Sequence, residues 1–278
     1  MSEVNPAEAF LFDTQGFILV EGVLSRPECA QFIEVTDRLA ERQYDDAWLR
    51  HPLVAGQGSP TLEVTNGGVR TRLNGLLRLD PIFHQLIAQP TVVKYLRAFM
   101  KHPQLINTWS IRKTRGEGWG GWHRGVPQTS YTYHNGVINS RMVNVITFLA
   151  DTSVDDGCLA VLPGSHKANI DLEVEKDYPG DKAPGHLLVP AHAGDVMIFS
   201  EALVHNGSPK VSTTARTNLY YNYVEATDTS AMMAVVGGHV GDFHHYWVPP
   251  SIRDQFDAAQ TELTEWMQWL KWEHIDEA

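Results

Sequence analysis

Hydrophobic and polar positions divide the chain into stretches of different period. Residues 16–22 (GFILVEG) are a short apolar run bracketed by glycines and predict a strand. Ser25-Arg26-Pro27-Glu28 reads as a capping box, and Cys29, Phe32, Ile33, Thr36, Leu39 and Ala40 recur at helical spacing after it. An amphipathic helix ending before Tyr44 is expected there. Residues 45–75 lose all periodicity, and His51-Pro52, Gly58-Ser59-Pro60 and Asn66-Gly67-Gly68 mark turns in a loop region with room for one strand. Asp80-Pro81 supplies an N-cap and a first-turn proline. It predicts a helix running towards Ala88, an interruption at Pro90 and a second helix to about Met100.

After Pro103 the period shortens. Strands are expected at residues 105–111, 144–149, 158–162, 186–190, 195–199 and 216–223, with turns at Asp155-Asp156-Gly157 and Gly194-Asp195. Residues 168–182 are acidic and poorly periodic. Helical spacing returns from about Ser251, with Phe256, Leu263, Trp266, Met267 and Leu270 on one face. Many short strands behind leading helices predict a mainly β chain, a barrel or jelly roll with flanking α-helices. Helical cover is expected over about 25–100, the strand core over about 103–224 and a C-terminal helical segment over about 251–274. No linker or internal repeat divides residues 1–278, so a single domain is expected.

Composition narrows the function classes. Hydrophobic residues make up 43% of the chain, enough for a sizeable core. A net charge of −11 argues against a nucleic-acid partner. The opening Met-Ser-Glu-Val-Asn-Pro lacks the basic and apolar regions of a signal peptide, and no run approaches a membrane span. Cys29 and Cys158 have no CxxC spacing and suit a reducing compartment. Together these features predict a cytoplasmic protein without a membrane partner.

The chemistry concentrates in residues 118–125 (GWGGWHRG), residues 201–207 (EALVHNG) and Arg216. His123 and His205 on separate strands, with an arginine downstream, point to a non-haem iron site and a dicarboxylate cosubstrate. A lone histidine on a strand is usually a packing residue, so the pair matters more than either member. His134 competes for the first ligand position but lacks the preceding Gly-Trp pattern, and is assigned to the substrate side or to a hydrogen bond. His166 is expected to be structural, and His244-His245 an exposed loop.

Trp122-His123, residues 155–166 (DDGCLAVLPGSH), residues 194–199 (GDVMIF), His205 and Arg216 appear in an order and spacing that resembles the phytanoyl-CoA hydroxylase family of Fe(II)/2-oxoglutarate-dependent oxygenases. Residues 13–24 also look like that family's opening strand. The resemblance implies a double-stranded β-helix, with His123 and His205 binding Fe(II) and Arg216 gripping 2-oxoglutarate. It implies Asn107, Trp109 and Thr147 beside the cosubstrate, and O2 as the further reactant.

One position departs from the family. The metal-binding carboxylate usual two residues after the first histidine is replaced by Gly125. His123-Arg124-Gly125 resembles the motif of the iron halogenases, in which an open coordination site takes chloride, and a halogenase acting on an aliphatic C–H bond of a small molecule is the leading expectation. Two other readings stay open. Glu201, or Glu117, could supply the carboxylate of an ordinary hydroxylase, or the scaffold could be a non-catalytic small-molecule-binding protein. Arg112, Lys113, Arg115 and Arg124, with Trp119, Trp122, Tyr131, Tyr133 and His134 nearby, would suit an anionic small molecule with a planar or apolar portion. The competing account of the arginines is surface ion pairing.

Overall fold

The computed structural model describes residues 4–41, 62–65, 69–225, 248 and 250–268. The predicted turns within 45–61 and 66–68, the His244-His245 pair and Leu270 lie outside these residues, as does the side chain of Met267.

Two antiparallel sheets face each other. The larger is seven-stranded, built from β1 (Phe17–Val20), β2 (Leu62–Thr65), β3 (Arg70–Asn74), β4 (Pro103–Lys113), β7 (Met142–Phe148), β10 (Val196–Ser200) and β12 (Arg216–Glu225). Their spatial order is β1-β10-β7-β12-β4-β3-β2. The smaller sheet places β8 (Leu159–Val161) between β11 (His205–Gly207) and β9 (Leu187–Val189). A separate hairpin joins β5 (Tyr131–His134) to β6 (Val137–Ser140). The arrangement is a double-stranded β-helix, as expected, with α1 (Pro6–Gln15), α2 (Arg26–Glu41) and α3 (Pro90–Phe99) leading into it.

Both faces of the large sheet are covered, which is why β7 and β12 are buried along their whole length. On the helical side, Val143, Val145, Leu219, Tyr221 and Tyr223 pack with Phe32, Phe83 and Leu96. The two tyrosines enter this apolar layer because the Phe83 and Ile87 carbonyls accept their hydroxyls, each at 2.7 Å. Between the sheets, Ile146, Phe148, Val161, Met197, Phe199 and Tyr220 form a second core.

Local signals explain the helix starts. Ser25 and Glu28 make the predicted reciprocal cap, with the Ser25 N–H donating to Glu28 at 2.7 Å. A second box, Asn5 with Glu8, opens α1, an element the sequence reading did not anticipate although the same motif is present there. The Asp80-Pro81 start holds, but it opens a 3-10 segment, Pro81–Leu86. Pro90 begins α3 rather than interrupting a helix, because a proline is tolerated at the first helical position. The C-terminal helix expected over about 251–274 is broken into α4 (Pro250–Arg253), α5 (Ala258–Glu262) and a 3-10 turn, Glu265–Gln268. Leu263 and Trp266 still reach the core from these turns. No helix among the described residues is long and apolar enough to cross a membrane.

Gly194 holds the turn into β10 at a positive φ of 96°, and a Cβ there would lie 2.0 Å from the Leu24 carbonyl oxygen. Gly194→Ala should therefore lower stability by more than about 1 kcal/mol, read as a lower urea midpoint at unchanged slope.

Candidate active site

The residues 118–125 run flat along the edge of the small sheet and act as an extra strand beside β11. His123 and His205 form an antiparallel bridge and exchange two backbone hydrogen bonds, 3.0 Å and 2.9 Å long. Residues paired in this way send their side chains to the same face. The two imidazole centroids accordingly stand 4.3 Å apart. The glycines before His123 permit the approach: the Gly120 N–H donates to the Gly207 carbonyl at 3.0 Å, and a Cβ on Gly120 would meet Asn206 Oδ1 at 2.6 Å.

Each imidazole is oriented by a carbonyl two residues earlier. His123 Nδ1 donates to the Gly121 carbonyl at 2.7 Å, and His205 Nδ1 donates to the Leu203 carbonyl at 2.9 Å. A carbonyl only accepts, so Nδ1 carries a proton in each ring, and the neutral tautomer leaves the lone pair on Nε2. Burial, reinforced by the neighbouring His123, pulls the His205 pKa down to about 3, so this ring stays neutral.

The pair opens into a cavity of about 610 Å³ between the sheets. Its floor is set by strand register. Asn107 on β4, Asn222 on β12 and Asn144 on β7 lie in one cross-strand row, and Trp109, Tyr220 and Ile146 form the next. The Trp109 and Tyr220 rings stack at 5.1 Å. Beyond them, Arg216 faces Lys113 across the β12–β4 ladder. Arg216 is buried, with Nε donating to the Asp156 carbonyl at 3.1 Å and Nη2 to the Gly157 carbonyl. With its amide turned to satisfy both ends, Asn218 accepts from Nη1 at 2.6 Å. Arg216 is thus held rigidly with donors to spare. Asp156 itself is anchored by Lys210 and Ser212.

Glu201, the residue after β10, points its carboxylate at the histidines. One oxygen accepts from Asn144 Nδ2 at 2.7 Å, and the other lies 4.0 Å from His205 Nε2. Burial raises the Glu201 pKa, opposed by its bond with Asn144 and by His123. The backbone N–H of Gly125 donates to the Glu201 carbonyl at 2.8 Å. A Cβ placed on Gly125 would sit 2.4 Å from Glu201 Oε2 and 3.3 Å from Glu201 Cβ. The space beside Gly125, read from the sequence as an open position, therefore contains a carboxylate.

The structure gathers His123, His205, Gly125, Glu201, Arg216, Asn107, Trp109 and Trp122 around one cavity. It does not bring Thr147 there. Alternation along β7 turns Met142, Asn144 and Ile146 inward, and so Thr147 faces the helical layer beside Val92 and Tyr221. Tyr133 and His134 are corrected too. They lie on the exposed β5–β6 hairpin, whose turn residues Asn135 and Gly136 both take positive φ, and Tyr133 is 63% exposed. Arg124 pairs with Asp171 at 2.8 Å and lines a separate surface cleft. Of the predicted basic cluster only Lys113 lines the cavity, while Arg112 pairs with Asp37 and Arg115 is exposed. Glu117 pairs with Lys113 at 2.6 Å and is 3.8 Å from Arg70, so it is already committed to cations.

Several cavity residues escaped the sequence reading: Arg70 and Arg72 on β3, and Asn144, Asn218 and Asn222. A signal existed for the last two. Asn218, Tyr220 and Asn222 recur at period two within an otherwise apolar strand, which marks a polar cavity face.

The donor set suits a divalent metal only after a small adjustment. Among the described residues no group of three His, Cys, Asp or Glu side chains stands close enough, as placed, to hold a metal ion. Two donors on adjacent corners about a metal stand about 3 Å apart, so Glu201 would swing roughly 1 Å towards His205 to join the histidines. Both Nε2 atoms are available, and the buried Asn144 Oδ1, Asn222 Oδ1 and Trp109 Nε1 have no protein partner. Unpaired buried polar atoms along a cavity fit a polar ligand that completes them. The residues thus fit a metal with a carboxylate cosubstrate.

Comparison with known proteins bears on the fold and the family. The dioxygenase hkm4 of Aspergillus hancockii is 28% identical over 202 residues, which cover 70% of this chain and 63% of that protein. The crystal structure of HygX from Streptomyces hygroscopicus, with nickel and 2-oxoglutarate bound, superposes with a TM-score of 0.65 at 22% identity, covering 81% of this chain and 89% of HygX. The non-haem 2-oxoglutarate-dependent carbocyclase SnoK from nogalamycin biosynthesis gives 0.59 at 19% identity, covering 80% and 85%. The model of the phytanoyl-CoA dioxygenase (PhyH) family matches residues 12–218, and the chain belongs to that family.

Proposed function

We propose that this protein is an Fe(II)/2-oxoglutarate-dependent oxygenase that inserts oxygen into a C–H bond of a small molecule. The observation that carries this reading is the backbone-locked His123–His205 pair in one cavity with the buried Arg216. The overall reaction balances as substrate, 2-oxoglutarate and O2 giving hydroxylated substrate, succinate and CO2. When bound, Fe(II) supplies the oxidising chemistry that couples cosubstrate decarboxylation to C–H cleavage.

The chain's own residues do the rest. His123 and His205 present Nε2 to the site, with their rings oriented by the Gly121 and Leu203 carbonyls. Arg216 offers a pre-organised guanidinium to the distal carboxylate of 2-oxoglutarate. Trp109 and Tyr220 give the cavity a flat apolar wall. The placement of Glu201 beside Gly125 favours oxygenation over halogenation, since a halide would have to share its space with a carboxylate. An anionic substrate is supported by Arg70 and Arg72, which join Lys113 and Arg216 on the lining against the two carboxylates of Glu117 and Glu201. HygX has been crystallised with hygromycin B, and a small-molecule substrate suits a cavity of this size here also.

Two measurements test the assignment. Anaerobic Fe(II) with 2-oxoglutarate should give the wild type a weak visible charge-transfer band, and His123→Gln or His205→Gln should abolish it. Persistence of the band in both variants would exclude this pair as the ligands. Arg216→Lys keeps the charge but loses the planar fork. It should weaken 2-oxoglutarate binding by about 2–3 kcal/mol, roughly 30- to 150-fold, while binding of Fe(II) alone stays close to wild type.

A further inference from the structure

We propose that Glu201 supplies the carboxylate of the metal site, having taken over the role that the residue at Gly125 plays elsewhere in the family. This rests on the oxygenase reading and specifies its ligand set. The transfer is from one backbone to another that lies against it: the Gly125 N–H donates to the Glu201 carbonyl, and the two Cβ positions would be 3.3 Å apart. At that separation only one residue of the two can carry a carboxylate into the cavity. Gly125 is then the consequence of Glu201, and a side chain at 125 is excluded while Glu201 stays in place.

Three further observations support the role. Glu201 is buried, where a carboxylate without a cationic partner is costly, and its second oxygen lies 4.0 Å from His205 Nε2, whose ring stands beside that of His123. Asn144 fixes one carboxylate oxygen at 2.7 Å and leaves the other aimed at His205 Nε2. This is how a ligating carboxylate is commonly steadied by an outer partner. The longer glutamate also suits its origin, since it reaches the site from the end of β10 rather than from the histidine's own strand.

Calorimetric titration of the metal-free protein with Ni(II), in the presence of 2-oxoglutarate, tests the exchange. Glu201→Gln preserves the shape and the acceptor for Asn144. It should weaken Ni(II) binding by at least about tenfold, with the melting temperature of the apo-protein reporting the fold separately. Glu201→Ala should weaken it at least as much. Adding Gly125→Asp to Glu201→Ala should recover most of the lost affinity, because the cleared space now admits the aspartate. Gly125→Asp alone should lower the melting temperature, through its collision with Glu201. Wild-type affinity in Glu201→Gln, or no gain from the aspartate over Glu201→Ala, would overturn the exchange while leaving the oxygenase reading intact. Failure of the wild type to bind Ni(II), or to form succinate with O2, would overturn that reading itself.

Discussion

The site depends on one pair of backbone hydrogen bonds, those exchanged between His123 and His205. They make two residues more than eighty positions apart into cross-strand neighbours, and pleating then forces both imidazoles onto one face. No side-chain attraction is needed to bring them together. The cost is that Gly120 must lie close against β11, where a side chain would collide with Asn206. The glycine at 120 is thus explained by packing before any chemistry is invoked. Trp122 serves the same end, since its indole donates to the Gly180 carbonyl at 2.8 Å and roofs the segment.

The second constraint is electrostatic. A buried carboxylate and a buried guanidinium both stand in this cavity, and each is tolerable only because its environment completes it. Arg216 is surrounded by carbonyl and amide oxygens from the Asp156-Gly157 turn and Asn218. Glu201 is bound by Asn144 and faces two histidines. The positive end of the cavity and the end that holds His123, His205 and Glu201 are therefore separate, joined by the Trp109–Tyr220 wall. That polarity suits a cosubstrate that chelates at one end and presents a carboxylate at the other.

Much of this was legible in one dimension. Caps at Ser25 and Asp80, the short strands and their glycine turns were visible because each is decided by neighbours in sequence. His123, His205 and Arg216 stood out through their ordered spacing within a family pattern. Thr147 was misplaced by a single step of strand parity, an error that sends a side chain to the opposite face of a sheet. Tyr133 and His134 were close to the site in sequence, but a two-residue turn folds them outward on their own hairpin.

The sequence alone determined the class of fold and brought His123, His205 and Arg216 forward as candidates, because local patterning and motif order carry that information. It also revealed that a carboxylate was missing after His123 and held Glu201 among the candidates to replace it. Only the tertiary structure decided between an open position and an occupied one. The reason is geometric: residues 125 and 201 are remote along the chain, and which side chain fills the space between them is settled by the contact of two backbones.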